Sequence, residues 1–318
     1  MRVVVATHGH CFDGLASAVV FTKLVRAKHP SAEFKYRGCG YGERQLSPSD
    51  DVLSGDENAI LDYRFFPSER LTWYFDHHRT AFATAADREF FDRHASRRNF
   101  FFDDTYTSCT KLIEKVARTQ FDVETNGLSE LIRWADVIDG ASFESAAQAL
   151  DRSNPVMRLA AVVERHGDDG LLKRLVGELT QKPLDVVSTS DFVTRKYAKL
   201  AEQHDRFVNR VRESAVRIGR VVFVDMTNEP LESVGKFVTY ALYPDAVYSV
   251  IVGLMKNGTK LSVGYNPWSG SPRDVDISAI CARYGGGGHA VVGAVQFKVE
   301  EAPKAREVAR AIAEELAG

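Results

Sequence analysis

Through the first half of this chain, short apolar runs recur that end on a histidine or an aspartate, with helical stretches between them. Val3, Val4, Val5 and Ala6 lead to His8 and Asp13; Ala59, Ile60 and Leu61 lead to Asp62; residues 71–75 lead to Asp76, His77 and His78. β-Branched and aromatic runs of this length read as buried strands, and the stretch from Gly14 to Phe21 reads as the helix after the first of them. Strands alternating with helices predict a mostly parallel sheet, and ligands of such sheets collect where the strands end. A single acid at a strand end is usually a solvated turn or a helix cap. Several acids and imidazoles at successive strand ends predict one shared site.

With 318 residues the chain exceeds one typical domain, and its pattern divides accordingly. Residues 142–179 read as wholly helical, an insert without a motif whose expected role is to shape the cleft or a dimer surface. From Ser190 to about Arg217 the sequence is charged and lacks Gly and Pro, which predicts one long linking helix. Beyond it, residues 221–224, 248–252, 260–263 and 294–297 read as strands, with Asn257 and Gly258 as a hairpin turn. The expected architecture is α/β with two domains. Residues 1–186 carry a mostly parallel sheet flanked by helices, 187–218 form the linker helix, and 219–318 form a smaller α/β domain.

Composition removes several function classes. Lys+Arg 41 against Asp+Glu 43 gives a net charge of -2, which speaks against coating long nucleic acid through counterion release but allows a short anionic ligand. No stretch approaches the roughly 20 apolar residues of a membrane span. Cys11, Cys39, Cys109 and Cys281 form no CxxC pair, so neither a zinc ribbon nor a disulfide framework is expected, and a reducing cytoplasm is the expected compartment.

His8, Asp13, Asp62 and His77, together with Asp136 and Asp139 after the apolar stretch 128–134, offer the oxygen and imidazole donors that two divalent cations require. Taken in order, THGHCFDGLASA, LDYRFF, WYFDHH, WADVID and RYGGGGHAVVGA resemble the DHH phosphoesterase superfamily, in its oligoribonuclease-like branch, with the DHH-associated C-terminal domain. The resemblance covers nearly the whole chain. It implies a two-domain hydrolase with a paired metal site, usually manganese, that cuts phosphate ester or anhydride bonds of small nucleotide substrates.

Residue by residue, the resemblance implies His8 as a ligand of the first metal, Asp13 as a ligand of the second and Asp62 as the bridge between them. His77 would be the ligand histidine and His78 the one that meets the substrate phosphate, with Asp76 orienting both. The last acid is Asp136 or Asp139; Asp136 is favoured because it directly follows the apolar stretch. Such a metal pair lowers the pKa of a shared water.

The loop from His8 to Gly14 departs from the common family form: it is one residue longer, and Cys11 stands where an aspartate is usual. A thiolate ligand would favour a softer ion than manganese, so the first metal's identity stays open. A small packed residue is the alternative role of Cys11. In the C-terminal part, Gly285, Gly286, Gly287 and Gly288 let backbone amides approach an anion, and His289 adds a hydrogen bond. The Arg-Ser pair expected before them is absent. Tyr265 or Trp268 to stack on a base, Asn266 to bond it and Arg273 to supply charge are the candidates to replace it.

The expected function is hydrolysis of short oligonucleotides by a metal-activated water. A phosphatase for 3′-phosphoadenosine 5′-phosphate or a cyclic-dinucleotide phosphodiesterase is the alternative within the enzyme class. A non-catalytic nucleotide sensor is the alternative outside it.

Overall fold

The β-branched run at the N-terminus forms the central strand of a parallel sheet. The computed structural model describes residues 1–41, 45–96, 98–231 and 237–318. In chain order the elements are β1 (Arg2–His8), α1 (Phe12–Lys28), β2 (Glu33–Cys39), β3 (Glu57–Leu61), β4 (Trp73–Asp76), α2 (Ala85–Ala95) and β5 (Asn99–Phe102). The helices α3 (Cys109–Phe121), α4 (Ser129–Asp139), α5 (Ala146–Leu150), α6 (Pro155–His166), α7 (Asp169–Leu179), α8 (Leu184–Ser188) and α9 (Asp191–Ser214) follow. Then come β6 (Ala215–Ile218), β7 (Val221–Met226), α10 (Val238–Leu242), β8 (Tyr248–Met255), β9 (Gly258–Tyr265), α11 (Ile277–Ala282), β10 (Gly287–His289), β11 (Val292–Phe297) and α12 (Ala302–Ala317).

Two compact units share these elements: residues 1–143 with 152–197, and residues 144–151 with 198–318. In the first, the strand order is β2-β1-β3-β4-β5 and every described pairing is parallel. The chain leaves β1 for β2 on one side and returns as β3 on the other, so the carboxyl ends of β1 and β3 flank a topological switch point, where open α/β sheets bind their ligands. The helix α1 is buried along almost its whole length, packed by β1, α3, α4, α6 and α7, which explains why its sequence is apolar on all sides. Gly14 is required where α1 meets β1, since a Cβ there would stand 2.2 Å from the His8 carbonyl oxygen.

The second unit holds a mixed sheet of order β10-β11-β9-β8-β7-β6, in which only β7 and β8 run parallel among the described pairings. The amphipathic α12 buries Ala305, Ala309, Ile312 and Leu316 in its core. Two expectations need correction. The long helix stops at Ser214, and residues 215–217, read as its last turn, join β6 because Val216 and Ile218 pair across to Phe223 and Val221. The β8–β9 hairpin turns at Lys256 and Asn257, one residue early, since Gly258 already pairs with Met255. No described helix is long and apolar enough to cross a membrane.

Candidate metal centre

The ends of β1, β3 and β4 deliver His8, Asp62 and the Asp76-His77-His78 triplet to one place, and the N-terminus of α1 and the C-terminus of α4 add Asp13 and Asp139. Their donor atoms fall into neighbouring groups. His8, Cys11 and Asp62 form one; Asp13, His77 and Asp139 form another; within each, the ligand atoms lie within 4.8 Å of one another. Asp62 stands between them, with Oδ2 3.9 Å from His8 Nδ1 and Oδ1 3.7 Å from His77 Nε2. Two ligands bound to one ion at about 2.1 Å stand roughly 3–4 Å apart, so this spacing suits a shared cation and is too long for hydrogen bonds.

The backbone fixes these side chains. Asp62 adopts φ 53°, in the left-handed region that aspartate tolerates better than most residues, and its amide donates to the Phe75 carbonyl at 2.9 Å. Asp13 accepts from the first amides of α3, Cys109 N at 2.7 Å and Thr110 N at 3.0 Å, and its Oδ2 lies 3.9 Å from His77 Nε2. His77 Nδ1 lies 3.1 Å from the Tyr106 carbonyl oxygen. A carbonyl can only accept, so Nδ1 carries the proton and Nε2 faces the carboxylates, the tautomer a metal-binding histidine needs. Asp76 is spent on orientation: Oδ1 accepts from the His77 amide at 2.8 Å and lies 2.7 Å from His78 Nδ1, while Tyr74 donates to Oδ2 at 3.0 Å.

Electrostatically the carboxylates of the site outnumber its cations. Both oxygens of Asp62, which is 1% exposed, and His77 Nε2 are buried without a hydrogen-bond partner. Asp139 Oδ2 approaches Nε2 to 3.2 Å without hydrogen-bond alignment. Native proteins rarely leave buried polar atoms unpaired, and a carboxylate least of all. Burial and the neighbouring Asp62 and Asp139 carboxylates push Asp13 well above the usual carboxylate range, and burial with Asp139 raises Asp62. Burial alone would lower His77, but the adjacent Asp139 and Asp62 carry it to about 11. Burial lowers His8 and so favours the neutral, ligating imidazole. Burial and Asp62 raise the Cys11 thiol well above its ordinary value, so a thiolate there requires a cation beside it. The donor set therefore fits divalent metal ions.

Asp136 and Asp139 are separated by their surroundings, and the geometry departs from the preference for Asp136. Asp136 pairs with Lys111 Nζ at 2.7 Å and accepts from Ser108 at 3.2 Å, whereas Asp139, one turn further along α4, enters the cluster. Asn266 is fully buried, its amide donates to the Pro244 and Ala246 carbonyls, and its Oδ1 accepts from Trp268 N. It shapes the turn after β9 and has no face for a base. Arg273 is exposed and donates to the Val275 carbonyl; Trp268 packs against Phe237.

In the second unit, the Gly285–Gly288 run leads into β10, an edge strand paired only with β11 among the described residues. Gly288 has φ 149°, and a Cβ there would meet the Val292 carbonyl oxygen at 2.2 Å. Around Gly285 and Gly287 nothing lies within 4 Å of a Cβ position, so these face open space, and His289 is exposed. Sequence reasoning missed the α3 amides that hold Asp13, the Tyr106 carbonyl and an aromatic stack of Tyr41 and Tyr63 beside His8. Backbone donors carry no residue signal, and the stack joins positions far apart in the chain.

No protein-family model and no curated protein matches the chain. Solved structures do. The pGpG-specific phosphodiesterase PggH from Vibrio cholerae aligns over 100% of both chains with a TM-score of 0.70 at 19% identity. A DHH-domain protein, described as belonging to a family of ribosomal proteins, aligns over 99% of this chain and 87% of its own, with a TM-score of 0.60 at 13% identity. RecJ from Thermus thermophilus, solved in complex with Mn2+, aligns over 99% of this chain and 52% of its own, with a TM-score of 0.55 at 12% identity.

Proposed function

We propose, for a chain that carries the DHH-phosphoesterase fold, that it is a metal-dependent phosphodiesterase hydrolysing short linear oligonucleotides, dinucleotides foremost. The observation that carries this reading is the buried, unpartnered carboxylate of Asp62 between two groups of ligating side chains. His8, Cys11 and Asp62 would hold one divalent cation, and Asp13, His77 and Asp139, with Asp62, the other. Such ions, when bound, supply a nucleophilic water at neutral pH and neutralise charge on the phosphoryl group. Asp76 orients His78 at its Nδ1 and, by that contact, holds its pKa above the ordinary value despite burial. A half-exposed His78, its protonated form favoured by Asp76, is suited to meet the phosphate oxygens. The glycine run and His289 would offer backbone amides and an imidazole to an anionic group of a nucleotide. PggH is specific for pGpG, a linear dinucleotide, and its full-length match favours that substrate size here.

The test is a hydrolysis panel with manganese covering dinucleotides to pentanucleotides, cyclic dinucleotides and 3′-phosphoadenosine 5′-phosphate. Dinucleotides should turn over fastest with release of mononucleotides; faster turnover of a cyclic dinucleotide or of the bisphosphate would displace this reading.

Two outcomes follow for the ligands. Asp139→Asn should lose bound metal and slow turnover by roughly a hundredfold or more, the scale on which removing one charged partner of a reacting group acts, whereas Asp136→Asn should stay near wild type. Elemental analysis beside steady-state kinetics compares them. If Cys11 ligates through sulfur, the wild type should prefer zinc or iron, and Cys11→Asp should shift activity toward manganese by restoring an oxygen donor. Metal content and activity titrated against the three ions check this, and unchanged profiles in Cys11→Asp and Cys11→Ser would remove the sulfur from the site.

A further inference from the structure

Beside the candidate metal centre stands an aromatic stack that the chemistry above does not use. Tyr41 is 57% exposed, while Tyr63 beneath it is buried. The two rings are nearly parallel, with centroids 4.5 Å apart and planes 13° apart. Tyr63 is pinned by the bond from its hydroxyl to the Gly40 carbonyl at 2.6 Å, so the outer ring rests on a fixed base. The His8 imidazole meets Tyr41 edge-on, with centroids 5.6 Å apart, which puts the stack directly against a member of the metal cluster. Arg64, exposed, brings its guanidinium carbon over the Tyr41 ring at 5.3 Å from the centroid and adds positive charge there. The segment leading into Tyr41 borders open space: Gly38 and Gly40, with His10 and Leu46, line an open hollow of about 430 Å³.

We infer that Tyr41 is the stacking platform for a nucleobase of the substrate, one nucleoside removed from the phosphate at the metal centre. The inference rests on the phosphodiesterase reading and names the group that gives it grip on a nucleotide. The part of the Tyr41 ring left in water gains little for the fold, whereas a base stacked on the face turned away from Tyr63 removes that face from water and can be any base. Arg64, planar and cationic, is placed to flank that base or to meet the adjoining phosphate.

Kinetics of wild type, Tyr41→Ala and Tyr41→Phe test this, using a linear dinucleotide and its two analogues abasic at one nucleoside, with metal content measured for each protein. Tyr41→Ala should raise KM about tenfold to a hundredfold, the scale of one base stacked on an aromatic ring, with kcat and bound metal near wild type. Tyr41→Phe, which keeps the ring, should retain the wild-type KM. One abasic analogue should cost the wild type a similar factor and cost Tyr41→Ala no more. Additive losses in variant and analogue, or equal losses in the Phe and Ala variants, would overturn the platform. So would loss of metal from Tyr41→Ala, which would make the ring a support for His8. Failure of the wild type to cut any oligonucleotide would overturn the functional reading itself, and is recognised from the wild type alone.

Discussion

Replacing Asp62 by asparagine is expected to lower turnover to about a thousandth of wild type or less while leaving the fold intact. The residue supplies donor atoms toward both ligand groups, so its loss disrupts the two at once, and a metal pair contributes several kcal/mol of charge stabilisation, about 1.4 kcal/mol for each tenfold in rate. Asparagine keeps the shape and tolerates the left-handed φ of 53°. The same change should stabilise the metal-free protein, because it removes a buried carboxylate without partners. The pH dependence carries a sign: burial raises the Asp62 carboxyl in the folded state, so the unfolded chain ionises first. In metal-free wild type this group therefore costs stability as pH climbs from its ordinary 3.8 through its raised value. Asp62→Asn lacks that contribution. Thermal melts across pH, with and without manganese, should give a higher metal-free Tm for the variant and a metal-induced rise only in the wild type. A variant with normal rate and a normal metal response would remove Asp62 from the centre.

His78→Ala is expected to lower kcat by about a hundredfold to a thousandfold with KM little changed, the loss seen when one donor to developing charge is removed. The imidazole is partly exposed, is oriented by Asp76 at 2.7 Å and lies 3.8 Å from Asp62, so it borders the cluster without being consumed by it. His289→Ala should do the reverse, raising KM at similar kcat, because a group that only grips the substrate holds ground and transition states alike. Steady-state kinetics on both variants decide between the roles; a pure KM effect in His78→Ala would assign it to binding.

The strand-end pattern was legible because β1, β3 and β4 are buried on both faces and their apolar runs stop where ligands begin. β2 escaped because Glu33, Lys35 and Arg37 break the apolar pattern on a strand at the edge of the sheet. The choice between Asp136 and Asp139 was not legible: three residues apart on one helix, they are told apart only by the fold, which brings Lys111 and Ser108 to the first and His77 to the second. Asn266 misled for a related reason, since an amide suited to a base is equally suited to two buried carbonyls. Tyr41 went unread because its meaning depends on Tyr63 and His8, brought beside it only by the fold.

The measurement closest to the central claim is hydrolysis of a 5′-phosphorylated dinucleotide by protein stripped with a chelator, before and after manganese is restored. No mononucleotide should form from the stripped protein, and turnover should return on addition of the ion. Undiminished hydrolysis by the stripped protein, or none with any divalent metal, would contradict the account.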